Sequence, residues 1–300
     1  MTEKFKLSRK DFIVLAAATI LALLIRPVVE LISRSKKPVQ PATATDSETP
    51  TELPSETQVP TEPIQPTEIP TDTPTTQVRQ LLTPEKIDFL VKHPINHGNT
   101  GKKIVIMTYD EGTVPANIEH LLDVYKTFNG KCTFFMTGDG LEQSKNILGR
   151  IRDEGHFIGC HSYDHINLAE LTNDKITDQF NRWQDKFHSI LPDYQTAYFR
   201  APYGSYNSRV LEIAASFGMQ HVFWNVESGG ITSDTIKYIF DQFQQYENYY
   251  QAIGGAIVLS HTMRYYDISQ AEDILKKWTE LGYTLVTIDQ GKKDSDTWKS

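Results

Sequence analysis

Nine of the 15 prolines in this 300-residue chain lie between Pro38 and Pro74, and this distribution restricts where a folded core can form. The stretch 38–78 also holds eleven Thr, seven acidic residues and no Lys or Arg. Proline fixes φ and removes backbone donors, and the acidic groups repel one another, so we expect a disordered, extended linker here. It divides the chain into residues 1–37, the linker 38–78 and residues 79–300, which are enough for one domain with a substantial core.

The formal net charge of −8 is distributed unevenly over these three parts. Residues 1–37 carry eight basic and three acidic groups, whereas residues 79–300 carry 22 basic and 28 acidic groups. The predicted folded part is therefore acidic, which argues against nucleic acid as a partner.

Residues 1–37 have the charge order of an export signal, with basic residues at 4, 6, 9 and 10 before an uncharged apolar run at 12–25. A 14-residue helix covers about 21 Å of the ~30 Å core of a bilayer. A cleaved signal peptide needs small residues at its cleavage point, and positions 26–30 offer none. We favour a cytoplasmic tail and an uncleaved single-pass anchor extending to about Ile32, with secretion after cleavage as the alternative. Both place residues 79–300 outside the cytoplasm.

Short apolar runs alternate with amphipathic segments along residues 79–300. We predict strands at 104–108, 133–136, 156–159, 197–199, 221–224, 256–259 and 284–288, and helices at 118–127, 141–154, 174–190, 209–217 and 270–281. Repeated β–α units indicate an α/β fold with a parallel sheet or barrel. Polar residues follow several of the predicted strands, which is where parallel α/β folds place active sites.

The two cysteines, Cys132 and Cys160, lie at opposite ends of their predicted strands. If the strands are parallel neighbours, the cysteines are farther apart than the ~7 Å between Cα atoms that a disulfide tolerates. We therefore predict two buried, free thiols.

Four polar groups follow predicted strands. Asp110 and Glu111 precede Gly112, which permits the tight turn needed to bring two consecutive carboxylates to one site. His161 and His165 are four residues apart, so a helical turn would place both imidazoles on one face. Two His and one carboxylate form a recurrent site for zinc or another divalent metal. Arg200 and His261 also follow strands, and an arginine there could pair with a carboxylate.

The ordered motifs Thr108-Tyr-Asp-Glu-Gly112, His161-Ser-Tyr-Asp-His165, Arg200-Ala-Pro-Tyr-Gly204 and Leu259-Ser-His261 resemble those of the NodB-homology polysaccharide deacetylases, a carbohydrate esterase family. The resemblance covers about residues 102–290. It implies a distorted (β/α) barrel of about seven parallel strands and a metal-dependent N- or O-deacetylase. The implied cofactor is a divalent metal, Zn²⁺ in the first place, with Co²⁺ or Ni²⁺ as alternatives.

The resemblance also implies a role for each matching residue. Asp110 would be the general base, His261 the general acid, and Arg200 the residue that orients and tunes Asp110. The metal ligands would be Glu111, His161 and His165. The backbone N–H of Tyr203 would help to hold the oxyanion, and Leu259 would line the pocket for the acetyl methyl group.

The sequence departs from the family pattern at two places. The ligand position in the first motif is usually Asp and here is Glu111. The fourth family motif has an Asp-Trp pair, and the aligned residues here are Gly230 and Ile231. Without that carboxylate we expect the pKa of His261 to fall. Glu227 is a nearby substitute that the sequence alone cannot place.

These observations predict a monomeric, membrane-tethered deacetylase of N-acetylated polysaccharide, such as peptidoglycan or a chitin-like polymer of the cell envelope. One alternative is an O-deacetylase that resembles acetylxylan esterases. The other is a weakly active or inactive glycan-binding relative, because the ligand is altered and the usual Asp is missing.

Overall fold

The computed structural model describes residues 82–299. The predicted anchor within 1–37 and the predicted linker 38–78 lie outside the described residues. Among residues 82–299, no helix is both long and apolar enough to span a bilayer.

Residues 82–299 form an α/β fold around one sheet in which every strand pair is parallel. The strands are β1 (Ile104–Glu111), β2 (Thr133–Met136), β3 (Phe157–Cys160), β4 (Tyr198–Phe199), β5 (Gln220–His221), β6 (Val226–Glu227), β7 (Ala256–His261) and β8 (Thr284–Leu285). Seven of them are ordered β5-β4-β3-β2-β1-β7-β6. The eighth, β8, pairs with the first residues of β1, on the side where β2 pairs with its last residues.

The sheet curls into an incomplete barrel. Strands β5 and β6 lie at opposite ends of the strand order, yet only residues 222–225 separate them in the chain. Five residue steps span less than about 18 Å, so the two edges must approach each other. Ile95 forms an isolated parallel bridge with Val222 in this gap. The prediction of a parallel α/β fold is confirmed, and the seven-strand path agrees with the implied barrel.

The helices pack around the curled sheet. They are α1 (Pro84–Lys92), α2 (Pro115–Thr127), α3 (Gly138–Gln143), α4 (Leu148–Asp153), α5 (Asn173–Ile190), α6 (Ser208–Ser216), α7 (Thr235–Tyr250), α8 (Tyr265–Ser269), α9 (Ala271–Glu280) and α10 (Ile288–Gly291). Helix α5 shows why these segments are helical, since it buries Ile176, Phe180, Trp183 and Phe187 at intervals of three and four residues. Both α1 and α2 begin with a proline, whose missing N–H costs nothing at the first helical position.

Several predicted elements differ from the structure. The helix predicted at 141–154 is two helices, α3 and α4, because Ser144 ends the first and donates a 2.7 Å hydrogen bond to the Gly112 carbonyl. The strand predicted at 284–288 ends at Leu285, because Thr287 and Gln290 form a capping box that starts α10. Only His221 of the predicted strand 221–224 lies in β5, since the following residues connect the two edges of the sheet. Helices α1, α7, α8 and α10 and strand β6 were not predicted.

The core has two layers, one inside the curled sheet and one between the sheet and the helices. Along β1, Ile106 belongs to the inner layer, whereas Val105 and Met107 belong to the outer one. Side chains alternate along a strand, so Asp110 lies on the same face as Ile106, at the carboxyl end of the inner layer.

Cys132 and Cys160 are both free and buried, as predicted. Parallel pairing of β2 with β3 places Cys160 opposite Met136, four residues beyond Cys132. The two cysteines therefore lie at opposite ends of neighbouring parallel strands, which is the reason predicted for the absence of a disulfide between them.

Candidate active site at the carboxyl ends of the strands

The end of β1 brings two consecutive carboxylates to one cleft. The strand continues to Glu111, three residues beyond its predicted end, and Asp110 pairs with His261 of β7. Glu111 has a φ of 70°, in the left-handed region that few non-glycine residues adopt, and Gly112 follows with a φ of 76°. This local distortion, one residue earlier than the predicted turn, overrides the alternation of the strand. Both carboxylates line the same cleft as a result.

Arg200 is fully buried beneath this cleft and pairs with Asp110. Its Nη1 donates to Asp110 Oδ1 at 2.8 Å and to Thr108 Oγ1 at 2.7 Å. The guanidinium also lies over the ring of Phe135, 4.3 Å from the centroid. A charged group pays a large desolvation cost when buried, so the pairing and the hydrogen bonds are what make this position tenable. The predicted contact between Arg200 and Asp110 is present.

His161 and His165 meet, but not on a helical turn as predicted. The segment that joins them has no helix, and it turns through left-handed conformations at Ser162 (φ 60°) and His165 (φ 51°). The two ring centroids are 4.9 Å apart. The Nδ1 atom of His161 lies 2.9 Å from the Arg200 carbonyl oxygen, which can only accept, so Nδ1 carries the proton. Burial lowers the pKa of His161 to about 4, and Nε2 of the neutral ring keeps a free lone pair.

Glu111, His161 and His165 form a group that could hold a metal ion. One potential ligand atom from each residue lies within 4.8 Å of the others. Glu111 Oε2 is buried and makes no hydrogen bond within residues 82–299. Burial, and secondly the charge of Asp110, raise the pKa of Glu111 to about 7. A buried carboxylate without a donor, beside two imidazoles, fits a divalent cation.

His261 ends β7 on the other side of the cleft. Its Nε2 lies 3.9 Å from Glu111 Oε1, and its Nδ1 lies 3.9 Å from Oδ2 of Asp267 in α8. Burial is the main cause that lowers the pKa of His261 to about 4. The fall expected above had a different cause, the missing carboxylate, and it stays a prediction.

Tyr203 and Leu259 line the cleft as well. Tyr203 has a left-handed backbone (φ 60°), is 70% exposed and donates a hydrogen bond from its hydroxyl to the His165 carbonyl at 3.2 Å. Leu259 lies on β7 and is buried. The structure therefore gathers all eight predicted site residues around one cleft, while the roles assigned to them stay predictions.

Four residues that support this site were not among the predicted site residues. Trp224 and Met263 line the cleft, and Thr262 accepts from the Gly112 N–H at 2.9 Å, which ties β7 to the turn after β1. Asp267 approaches His261 from α8, six residues farther along the chain. In the sequence, Asp267 is distinguished only as an acidic residue shortly after a histidine that ends a strand. Such a pattern is too common to predict a functional residue by itself. Glu227, the substitute considered above, faces Arg264 instead, with 3.8 Å between Oε1 and Nη1.

Comparisons with known proteins identify relatives of this chain. The sequence profile described as polysaccharide deacetylase matches residues 97–222. The chain is 31% identical over 195 residues to PdaA, a peptidoglycan-N-acetylmuramic acid deacetylase of Bacillus subtilis, which covers 64% of this chain and 72% of that protein. It is 30% identical to PgdA, a peptidoglycan-N-acetylglucosamine deacetylase of Listeria monocytogenes, over 67% of this chain and 41% of that one.

Two solved structures share the fold. The structure of Bacillus subtilis PdaA, a family 4 carbohydrate esterase, matches with a TM-score of 0.58 and 30% identity over 68% of this chain and 87% of that chain. BA3943 from Bacillus anthracis, a CE4 family pseudoenzyme, matches with a TM-score of 0.56 and 26% identity, over 66% of this chain and 68% of that chain. With the profile match and the coverage of PdaA, these findings show that the chain belongs to the polysaccharide deacetylase family.

Proposed function

We propose that this protein is a hydrolase that removes acetyl groups from the N-acetylated sugars of a cell-envelope polysaccharide such as peptidoglycan. The observation that carries the proposal is the cleft that joins an arginine-paired aspartate, a carboxylate–imidazole metal group and a third histidine. Two relatives named as peptidoglycan deacetylases, one for N-acetylmuramic acid and one for N-acetylglucosamine, support the substrate class.

The donor set Glu111, His161 and His165 would hold the divalent metal, and we propose Zn²⁺, with Co²⁺ or Ni²⁺ as alternatives. When bound, such an ion acts as a Lewis acid that polarises the acetyl carbonyl and lowers the pKa of water. Glutamate is a competent ligand, and the left-handed turn at Glu111 offers a way to accommodate its extra methylene.

Two residues beside the metal group carry out the two proton transfers of the reaction, one as general base and one as general acid. Asp110 takes a proton from the attacking water, and Arg200 holds that carboxylate in place through its 2.8 Å hydrogen bond. The new bond joins the water oxygen to the acetyl carbon, and the bond from that carbon to the sugar nitrogen breaks. His261, in the imidazolium form with a proton on both ring nitrogens, gives the proton on Nε2 to the leaving amine, because an unprotonated amine leaves poorly. The N–H of Tyr203 stabilises the oxyanion, and Leu259 contacts the acetyl methyl group.

A second candidate is a glycan-binding relative with little activity. It is favoured by the glycine at position 230 and by the similarity to a CE4 family pseudoenzyme. Against it stands the complete set of Asp110, Arg200 and His261 in one cleft.

We also propose that the enzyme works outside the cytoplasm as a monomer, held at the membrane by its N-terminal segment. This part of the proposal depends on the basic residues and the apolar run at 12–25, which lie outside the described residues.

Acetate release and metal content test the proposal together. The full chain, loaded in turn with Zn²⁺, Co²⁺ or Ni²⁺, is assayed on peptidoglycan, chito-oligomers and acetylxylan, and bound metal is measured by mass spectrometry. We expect release from the N-acetyl substrates and about one metal ion per chain. Release from acetylxylan alone would favour an O-deacetylase. A chain that binds metal but frees no acetate would favour the glycan-binding relative.

A matched pair of variants tests the metal group. His161→Ala should abolish both metal binding and acetate release, because it removes one of three ligands. His188→Ala, on α5, should change neither, because His188 lies outside the cleft. Full activity of His161→Ala would refute the metal assignment.

A further inference from the structure

Asp267 fills the space beside Gly230, the position at which the resembling family usually has an aspartate. Gly230 has a φ of 56°, and a Cβ built there would lie 2.6 Å from Asp267 Oδ2 and 2.7 Å from Asp267 Oδ1. Real Cβ atoms essentially never approach other heavy atoms so closely. A side chain at 230 and the present position of the Asp267 carboxylate therefore exclude each other. The Asp267 carboxylate, carried by α8, therefore occupies the space that the first side-chain atom of residue 230 would need.

The Asp267 carboxylate is directed at His261. Asp267 is 1% exposed, and its Oδ2 accepts a 2.8 Å hydrogen bond from the His261 backbone N–H. The same oxygen lies 3.9 Å from Nδ1 of the imidazole. Within residues 82–299, neither His261 Nδ1 nor Asp267 Oδ1 has a hydrogen-bond partner, although both are buried. Buried polar groups left unpaired are costly, and the 3.9 Å between Nδ1 and Oδ2 is only about 1 Å longer than a hydrogen bond.

We propose that Asp267 is the positioning residue for His261, accepting a hydrogen bond from Nδ1–H and thereby keeping Nε2 directed into the cleft. The opposite edge of the ring already faces that way, since Nε2 lies 3.9 Å from Glu111 Oε1. The proposal deepens the function proposed above and rests on it for the role of His261 as proton donor. Asp267 touches neither substrate nor metal in this scheme and acts through the histidine.

The other acidic residue near this end of the cleft does not compete for the role. Glu227 is 40% exposed at its side chain, and its carboxylate faces Arg264 at 3.8 Å. The Arg264 Nη1 also donates to the Gly229 carbonyl at 3.2 Å, which anchors this pair to the loop. Of these two acids, only Asp267 combines full burial with contact to both the backbone and the ring of His261.

The proposal is tested by removing the carboxylate at position 267 and then placing one at position 230. The kcat and KM of acetate release are measured on the full, metal-loaded chain. Asp267→Asn keeps an oxygen acceptor for the His261 backbone N–H but removes the negative charge beside the ring. We expect kcat to fall about 10- to 100-fold, as is typical when a supporting group is lost, with KM within about threefold of wild type. The double variant Asp267→Ala with Gly230→Asp should recover most of kcat, because Asp tolerates left-handed φ and the space is then free.

A matched control and two contradicting outcomes define the kinetic test. Asp296→Asn, a buried aspartate outside the cleft, should leave kcat unchanged. A kcat of Asp267→Asn within threefold of wild type would overturn the proposal. So would a kcat loss in Asp267→Asn that the double variant fails to recover, provided that both fold as judged by circular dichroism.

Nitrogen-15 NMR of the histidine rings reports on the same contact without any activity. The His261 signals are assigned by their loss in His261→Gln. We expect the proton on Nδ1 in the wild-type protein and a shift toward Nε2 in Asp267→Asn. A wild-type ring protonated on Nε2 alone, with no proton on Nδ1, would overturn the proposal even if acetate is released. If no acetate is released at all, the proposed function fails while this spectrum still decides the role of Asp267.

Discussion

Replacing Arg200 with Met should destabilise the fold more than almost any other single change at the cleft. The substitution keeps much of the side-chain volume but removes the cation that pairs with Asp110 at 2.8 Å. Asp110 is 3% exposed, so its carboxylate cannot turn to bulk water. Breaking a buried ion pair from one side costs about 3–5 kcal/mol, because the remaining charge stays buried and uncompensated.

That cost is large beside the total stability of about 5–15 kcal/mol of typical domains. With a urea m-value of about 2.5 kcal/mol per molar, the midpoint should fall by about 1–2 M. The assay is urea unfolding of the full chain, followed by circular dichroism. A chelator is present, so that metal binding does not add to the apparent stability.

The double variant Arg200→Met with Asp110→Asn provides the internal control. It removes both charges, so it should recover at least half of the free energy of unfolding that is lost in Arg200→Met. The interaction energy from the complete cycle of single and double variants isolates the pair. The reasoning is refuted if Arg200→Met lies within about 1 kcal/mol of wild type, or if Asp110→Asn in the same chain recovers nothing.

Three further predictions follow from buried groups outside the pair. Cys132 and Cys160 should resist Ellman's reagent in the native protein and react only after unfolding, because burial raises both thiol pKa values; rapid native reaction would contradict their burial. His221 is buried with no hydrogen-bond partner within residues 82–299, and burial lowers its pKa to about 3. The unfolded chain, with a pKa near 6.5, therefore binds the proton more readily, so stability should fall as the pH drops below about 6.5. His221→Phe should flatten this pH dependence in urea titrations between pH 7 and 4, and an unchanged slope would refute the assignment. Gly112→Ala should cost at least about 1–3 kcal/mol in the same assay, because φ is 76° and the new Cβ would overlap Met136; an unchanged midpoint would show that the turn can relax.

Much of the fold was predictable because the relevant signals are local. The apolar runs of β1, β2, β3 and β7 and the spacing of buried residues in α5 report directly which face of each segment is buried. The predicted boundaries of helices and strands were wrong where a contact with a distant part of the chain ends an element. Ser144 breaks a continuous helical pattern because its hydroxyl reaches the Gly112 carbonyl, and no periodicity signals that contact. Helix α7 carries buried residues at intervals of three and four residues and could have been found from the same pattern.

The site shows the same division. The predicted metal ligands, general base and general acid were all named from the motifs, and the structure brings them together in one cleft. They did not reveal how the residues meet. The two histidines converge through left-handed turns rather than a helix, and the two carboxylates converge through the unusual φ of Glu111. Backbone conformations of this kind persist only where the surrounding structure enforces them, so the sequence carries little trace of them.

By itself, the sequence determined the alternation of most strands and helices and the burial of the two thiols, and its motifs named the eight predicted site residues. These depend on residue type and on spacing along the chain. Only the tertiary structure decided that Arg200 is buried beneath Asp110, that Glu227 pairs with Arg264, and that Asp267 occupies the space beside Gly230. Arg200 and Asp110, Glu227 and Arg264, and Gly230 and Asp267 are each separated by more than 30 residues, and only the folded sheet and its loops bring them together.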